Sequence, residues 1–320
     1  MEALIKKRQV PESIRSTAEN GGNMELLTKL LRTQLSVVNK LADACSIKRS
    51  RAVQDKIGSF MAHEYLTDVT YRTINFSEFQ AEYVIPNDLK YDGIILYLHG
   101  GGYVSGDMQY AKGFGTVLAA ENHIAVCCAA YRLAPEHIYP AALEDAVQAY
   151  RYLMNNGYSP DKIALCGESA GGGLVFSLAL KLKEEQLPMP CGIIAVSPWS
   201  DLSMSGISYE ENREKDPSMT KKRLQFYAQC YTDQISSPFV SPLFGDLTGL
   251  PPSLIFVGGD EIMLSDSVCL HKKLCEYGCT SSLHVAEDMW HIYLLYGIKE
   301  AKEDRKIITE FLSEVFHGRT

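Results

Sequence analysis

From Asp68 onward, short apolar runs alternate with helix-length segments, and that order leaves few architectures open. DVTYRTINF and AEYVIP read as strands, and Pro86-Asn87-Asp88 as a turn. GIILYLHG, IAVCCAAY, KIALCGES, GIIAVSPW, PSLIFVGG and SSLHVAED also fit strands. Between and after them, LEDAVQAYRYLMNN, AGGGLVFSLALKLKEEQ, SDSVCLHKKLCEYG and the segment following His291 fit helices. Strands that are apolar throughout have no face for water. Joined by helices, they predict a mostly parallel sheet covered on both sides, an α/β fold.

Two stretches stand outside this alternation. Residues 1–66 are helix-like and show no strand pattern; within them MELLTKLLRTQLSVVNKLADAC has the 3–4 spacing of an amphipathic helix. Residues 203–237 are charged and helix-prone. The expectation is a main domain over 67–320, with the N-terminal segment and the 203–237 insertion forming a helical cap above the strand ends.

Gly167-Glu168-Ser169-Ala170-Gly171 fits G-x-S-x-G. The pattern alone is weak, since about 0.1 matches arise by chance in a chain this long. Its setting makes it strong: it follows the apolar strand KIALC and opens a helix, as a nucleophile elbow does. Such a serine sits on a sharp, strained turn. The residues two before and two after it approach each other, so Gly167 and Gly171 avoid a Cβ clash. The helix N-terminus beneath favours developing negative charge.

His99-Gly100-Gly101-Gly102 follows the strand IILYL. Glycines there let backbone N–H groups approach a ligand and stabilise an oxyanion, at about 3–4 kcal/mol per donor. The expected donors are Gly101, Gly102 and Ala170. A P-loop is excluded because no Gly-Lys-Ser/Thr follows. His99 reads as a brace for the loop rather than a base.

With such an elbow the acid and then the histidine follow the serine in the chain. LIFVGGDE places Asp260 just beyond a late strand, and it is taken as the acid. Glu261, one residue later, and Asp266, in the first turn of the next helix, are rivals. His284 falls inside a strand, whereas His291 lies in the loop after it and is taken as the base. Ser169, Asp260 and His291 would then form a triad in which the histidine takes the serine proton and the acid holds its tautomer.

With these motifs in place, the chain resembles the hormone-sensitive-lipase-like (bacterial type IV) esterases of the α/β-hydrolase fold. HGGG, GESAGG, YRLAPEHIYPAALEDA, SPWSDLS, DPSMT and LTGLPPSLIFVGGDE all look like family signatures, covering roughly residue 65 to the end. The resemblance implies hydrolysis of short- to medium-chain carboxylic esters through a covalent acyl-enzyme. It also implies no cofactor or metal and an N-terminal cap, and homodimers are common among such esterases. Two positions depart from the pattern. Glu168 stands where aspartate is more frequent, and Ala130 where an acidic residue often precedes Tyr131-Arg132, which implies the loss of a local salt bridge.

Composition narrows the partners. Lys plus Arg number 31 against 39 Asp plus Glu, a net charge of -8, which argues against nucleic acid. No run approaches the ~18 apolar residues of a membrane span, and MEALIKKRQVPESIRS lacks a signal-peptide core. With nine cysteines, an odd number, the expectation is a cytoplasmic protein with reduced thiols. An amidase or a deacetylase of a sugar or drug-like ester would use the same residues. A non-hydrolytic receptor of this fold would lack the histidine. A triglyceride lipase is disfavoured because no apolar surface helix stands out.

Overall fold

The computed structural model describes residues 14–16, 26–42 and 47–317. The chain enters with a short strand β1 (Ile14–Ser16) and two helices, α1 (Leu26–Ala42) and α2 (Ile47–Ala62). Then come β2 (Val69–Asn75), β3 (Gln80–Pro86), β4 (Ile94–Leu98), α3 (Met108–Asn122) and β5 (Ala125–Ala130). The central stretch is α4 (Ala141–Asn155), β6 (Ile163–Glu168), α5 (Ala170–Glu184) and β7 (Gly192–Val196). After α6 (Ser208–Glu211) and α7 (Lys221–Tyr231), the order closes with β8 (Ser253–Gly258), α8 (Leu264–Glu276), β9 (Ser281–Ala286) and α9 (Lys299–His317).

Among the described residues nine strands form one sheet in the order β1-β9-β8-β7-β6-β4-β5-β3-β2. β3 runs antiparallel to both β2 and β5, and every other pairing is parallel. The central strands β4, β6, β7 and β8 are buried at every residue, so helices cover both faces. One core packs around Leu96, Leu165 and Phe176, the other around Tyr97, Phe114 and Trp290. Among the described residues no helix is long and apolar enough to cross a membrane.

Three features differ from the sequence expectations. Ile14–Ser16 pairs in parallel with Leu283–Val285 of β9, a strand inside the segment expected to have none. Three residues are too few to show a two-residue period, and the pairing uses backbone groups only. Helix α3 carries Gly113 and Gly115, which lower helix propensity, and it is buried along most of its length, so no amphipathic stripe marks it. Its glycines serve packing: a Cβ on Gly113 would lie 2.5 Å from Gly58 Cα in α2. Finally, α1 and α2 do expose apolar side chains, with Leu26 84% and Phe60 81% accessible.

The two N-terminal helices are pinned on either side of the β6 end. On one side, Arg32 of α1 donates to Asp260 Oδ2 (2.7 Å), Asp288 O (2.6 Å) and Lys215 O (2.8 Å). On the other, Arg51 of α2 holds both oxygens of Glu136 (2.9 and 2.7 Å) and the carbonyls of Val104 and Ala134.

Candidate active site

Ser169 stands between β6 and α5 with φ 54° and ψ -120°, a backbone that L residues rarely adopt. The flanking glycines make this turn possible. A Cβ on Gly167 would lie 2.3 Å from Gly171 O, and one on Gly171 would lie 2.0 Å from Leu98 O. The turn is locked by Ser169 N donating to Val196 O (2.9 Å) and Ser169 O accepting from Trp199 N (2.9 Å).

The hydroxyl meets His291, whose Nε2 lies 2.9 Å from Ser169 Oγ. His291 Nδ1 lies 2.7 Å from Glu261 Oε2. All three side chains are buried, with Glu261 fully enclosed. Burial alone would pull the imidazole pKa down. The hydrogen bond and charge of Glu261, helped by Asp216 and Glu168, outweigh it and raise the pKa above its ordinary value.

The carboxylate behind His291 is therefore Glu261 and not Asp260, which corrects the sequence reading. The cause is the turn that follows β8. Glu261 N reaches back to Gly258 O (3.4 Å), so its side chain folds over the strand end. There Glu261 Oε1 accepts from Gly258 N (2.6 Å) and Ser197 Oγ (2.9 Å). Asp260, one residue earlier, points the other way to the ion pair with Arg32 and is partly exposed. Asp266 lies in the first turn of α8, where it accepts from Ser200 N (3.0 Å) and Asp201 N (2.9 Å). It braces the loop behind the elbow. His284 faces away from Ser169 and pairs with Asp304 at 3.1 Å.

The acid and histidine loops hold each other. Gly259 N donates to Ala286 O (2.8 Å), and Asp260 N to Met289 O (3.0 Å). The 203–237 insertion contributes directly here. Asn212 Nδ2 donates to Gly259 O and Glu261 O (both 3.0 Å), and Asp216 Oδ2 accepts from Ile262 N (3.0 Å).

The glycine loop lies on the other side of Ser169. Gly101 and Gly102 have φ of 110° and 65°, and Gly101 O accepts from Val104 N and Ser105 N, closing a tight turn. Ala170 opens α5, so its N–H belongs to the first turn, which has no intrahelical acceptor. Gly100 N donates to Glu168 Oε1, and Tyr97 Oη to Glu168 Oε2 (2.6 Å). The elbow carboxylate thus ties the serine turn to the glycine loop. Burial pushes Glu168 up to about 7 against the opposing pull of Tyr97, the Gly100 amide and Tyr110.

His99 acts as a brace. It stacks on Tyr131 (centroids 4.2 Å apart), its Nδ1 lies 2.7 Å from Gly100 O, and burial lowers its pKa to about 4. Arg132 is not left without a partner by Ala130. It binds Asp145 of α4 through Nη2 (2.7 Å) and its own backbone N–H (2.8 Å).

Residues outside the motifs complete the site. Tyr227 of α7 covers the glycine loop, so that a Cβ on Gly102 would strike its ring at 2.2 Å. Tyr231 of the same helix stacks on Tyr103 (3.9 Å). The sequence signal for this role is the pair of tyrosines, Tyr227 and Tyr231, one helical turn apart in an otherwise charged segment. Among the described residues no cluster of His, Cys, Asp and Glu could hold a metal ion. His271, near three cysteines in the sequence, is bonded to Ser281 Oγ (2.9 Å).

Comparison with known proteins gives the same architecture. A family profile described as alpha/beta hydrolase fold matches residues 95–295. An acetyl-hydrolase of Streptomyces hygroscopicus is 36% identical over 68% of this chain and 73% of its own. An esterase of Acinetobacter venetianus is 34% identical over 69% of this chain and 75% of its own. The crystal structure of an esterase from the bacterial hormone-sensitive lipase family superposes with a TM-score of 0.83 at 33% identity, covering 89% of this chain and 98% of that one. The esterase EstE5, in a crystal soaked with p-nitrophenyl butyrate, superposes with a TM-score of 0.83 at 32% identity, covering 91% and 98%.

Proposed function

We propose, from the premise that this chain belongs to the α/β-hydrolase fold family and stands among its hormone-sensitive-lipase-type esterases, that it hydrolyses short- to medium-chain carboxylic esters through Ser169, His291 and Glu261. The observation that carries this reading is the unbroken run of hydrogen bonds from Ser169 Oγ through His291 to Glu261.

Ser169 Oγ attacks the acyl carbon while His291 Nε2 takes its proton. Glu261 keeps the other ring proton on Nδ1 and stabilises the imidazolium. The carbonyl oxygen becomes an oxyanion, received by the N–H groups of Gly101, Gly102 and Ala170 at the start of α5. His291 then gives its proton to the leaving alcohol, and the acyl group remains on Ser169. Water, deprotonated by the same imidazole, attacks this ester. The acid leaves and Ser169 regains its proton.

The cap consists of α1, α2 and the insertion holding α6 and α7. It closes over the glycine loop through Tyr227 and keeps the acid loop in place through Asn212 and Asp216. Removal of an O-acetyl group is a second reading of the same chemistry, favoured by the acetyl-hydrolase relative. A non-hydrolytic receptor would have no use for the Ser–His–Glu run.

A panel of p-nitrophenyl esters from acetate to decanoate tests this reading. Acetate to hexanoate should give the highest kcat/KM, with a fall towards decanoate. No hydrolysis of any ester, or a maximum at decanoate, would refute it.

A further inference from the structure

We infer that the α1–α2 pair is a docking surface for anionic lipid. Its charge opposes that of the chain: the two helices carry seven basic residues and one acidic, Asp55, in a protein of net charge -8. Lys29, Lys48, Arg49 and Lys56 are exposed. On α2, Arg49, Val53, Lys56, Ile57 and Phe60 fall at spacings that share one helix face. Leu26, Leu27 and Leu30 of α1 are exposed as well, alongside Val53, Ile57 and Phe60.

Between the helices and the body lies a groove of about 780 Å³, within the size range of small-molecule sites. Leu27, Leu30, Ile57 and Phe60 line it from the two helices, and Val117 and Leu295 from the body. Among the described residues that line it, neither Ser169 nor any of Gly101, Gly102 and Ala170 appears. A lipid chain held there serves as an anchor and is not the acyl group being cleaved.

Basic side chains interleaved with exposed leucine and phenylalanine suit the headgroup–acyl boundary of a bilayer. A nucleic acid would use the charges but leave the apolar residues in water. A second copy of this chain would bring another basic surface if it packed face to face. The bond from Arg32 to Asp260 ties α1 to the residue next to Glu261, so that esters dissolved in the lipid would be held on the acid-loop side of the site.

Flotation with vesicles of phosphatidylglycerol and phosphatidylcholine tests the inference on the full chain. The protein should float with mixed vesicles and only weakly with pure phosphatidylcholine. The double variant Arg49→Glu/Lys56→Glu should lose about tenfold or more of its partitioning, as should the wild type on raising salt from about 0.05 M to about 0.5 M. Phe60→Ser should also lose about tenfold. These side chains are exposed, so circular dichroism should be unchanged. Ser169→Ala should float as the wild type does, which separates this surface from the chemistry of the serine. Three results would overturn the inference: no flotation with mixed vesicles, flotation that the charge reversals leave intact, or a soluble dimer that Phe60→Ser dissociates without any lipid binding.

Discussion

Ser169→Ala should lower kcat for p-nitrophenyl acetate by roughly a million-fold, to the residual rate that binding and the oxyanion donors alone supply. The size of the effect follows from the order of events. Without Oγ there is no acyl-enzyme, and His291 has no proton to take. The fold should survive. Alanine keeps the Cβ already accommodated at φ 54°, and the elbow is held by backbone bonds to Val196 and Trp199. The variant leaves His291 Nε2 without its buried partner, a cost of about 1–3 kcal/mol, against the 5–15 kcal/mol of a typical domain. Thermal unfolding should shift by a few degrees while hydrolysis disappears. A variant that is folded and fully active would remove Ser169 from the mechanism.

The second large effect separates two neighbouring carboxylates. Glu261→Gln should reduce kcat about ten-thousand-fold, with little change in KM, because the amide cannot hold the imidazole in the required tautomer or stabilise its cation. Glu261 is fixed by Gly258 N and Ser197 Oγ, so the glutamine has no freedom to turn its amide away. Asp260→Asn should cost less than about tenfold. Its carboxylate is partly exposed and paired with Arg32, and such pairs contribute about 0–1 kcal/mol. Steady-state kinetics of the two variants side by side reads the difference. A larger loss in Asp260→Asn would move the acid back by one residue.

That single residue shows where sequence reading stops. The central strands were legible because each is a short apolar run bounded by turn residues or by a helix, and β2 because its turn-bounded stretch is rich in Val, Tyr, Thr and Ile. The elbow was legible because G-x-S-x-G followed one of those runs. In both cases the physical constraint is local. The choice between Asp260 and Glu261 is not local: two carboxylates in succession project in different directions, and only the turn after β8 decides which faces His291. The turn depends on contacts from distant segments, among them Ala286 and Met289 in the histidine loop and Asn212 in the insertion. Helix α3 is not legible in the sequence for a related reason. Its glycines are explained by the close approach of α2, which nothing in its own sequence shows. The leucines of α1 mark an amphipathic helix in the sequence, but periodicity identifies an apolar face and not what covers it, so the exposure of Leu26, Leu27 and Leu30 was not legible.

Glu168 illustrates the converse. This departure from the family pattern is accommodated, with the Glu168 side chain bonded to the Gly100 amide and the Tyr97 hydroxyl. At Ala130, the arginine finds its carboxylate in α4 instead.

The most direct measurement of the central claim is the mass of the intact chain after brief exposure to diethyl p-nitrophenyl phosphate. Ser169 Oγ should form a bond to phosphorus as p-nitrophenolate leaves, with His291 taking the serine proton. The expected result is a single diethylphosphoryl group, located on Ser169 by peptide mapping, together with loss of esterase activity and no adduct on Ser169→Ala. A chain that loses activity while carrying the group on another residue, or that stays unmodified and active, would contradict it.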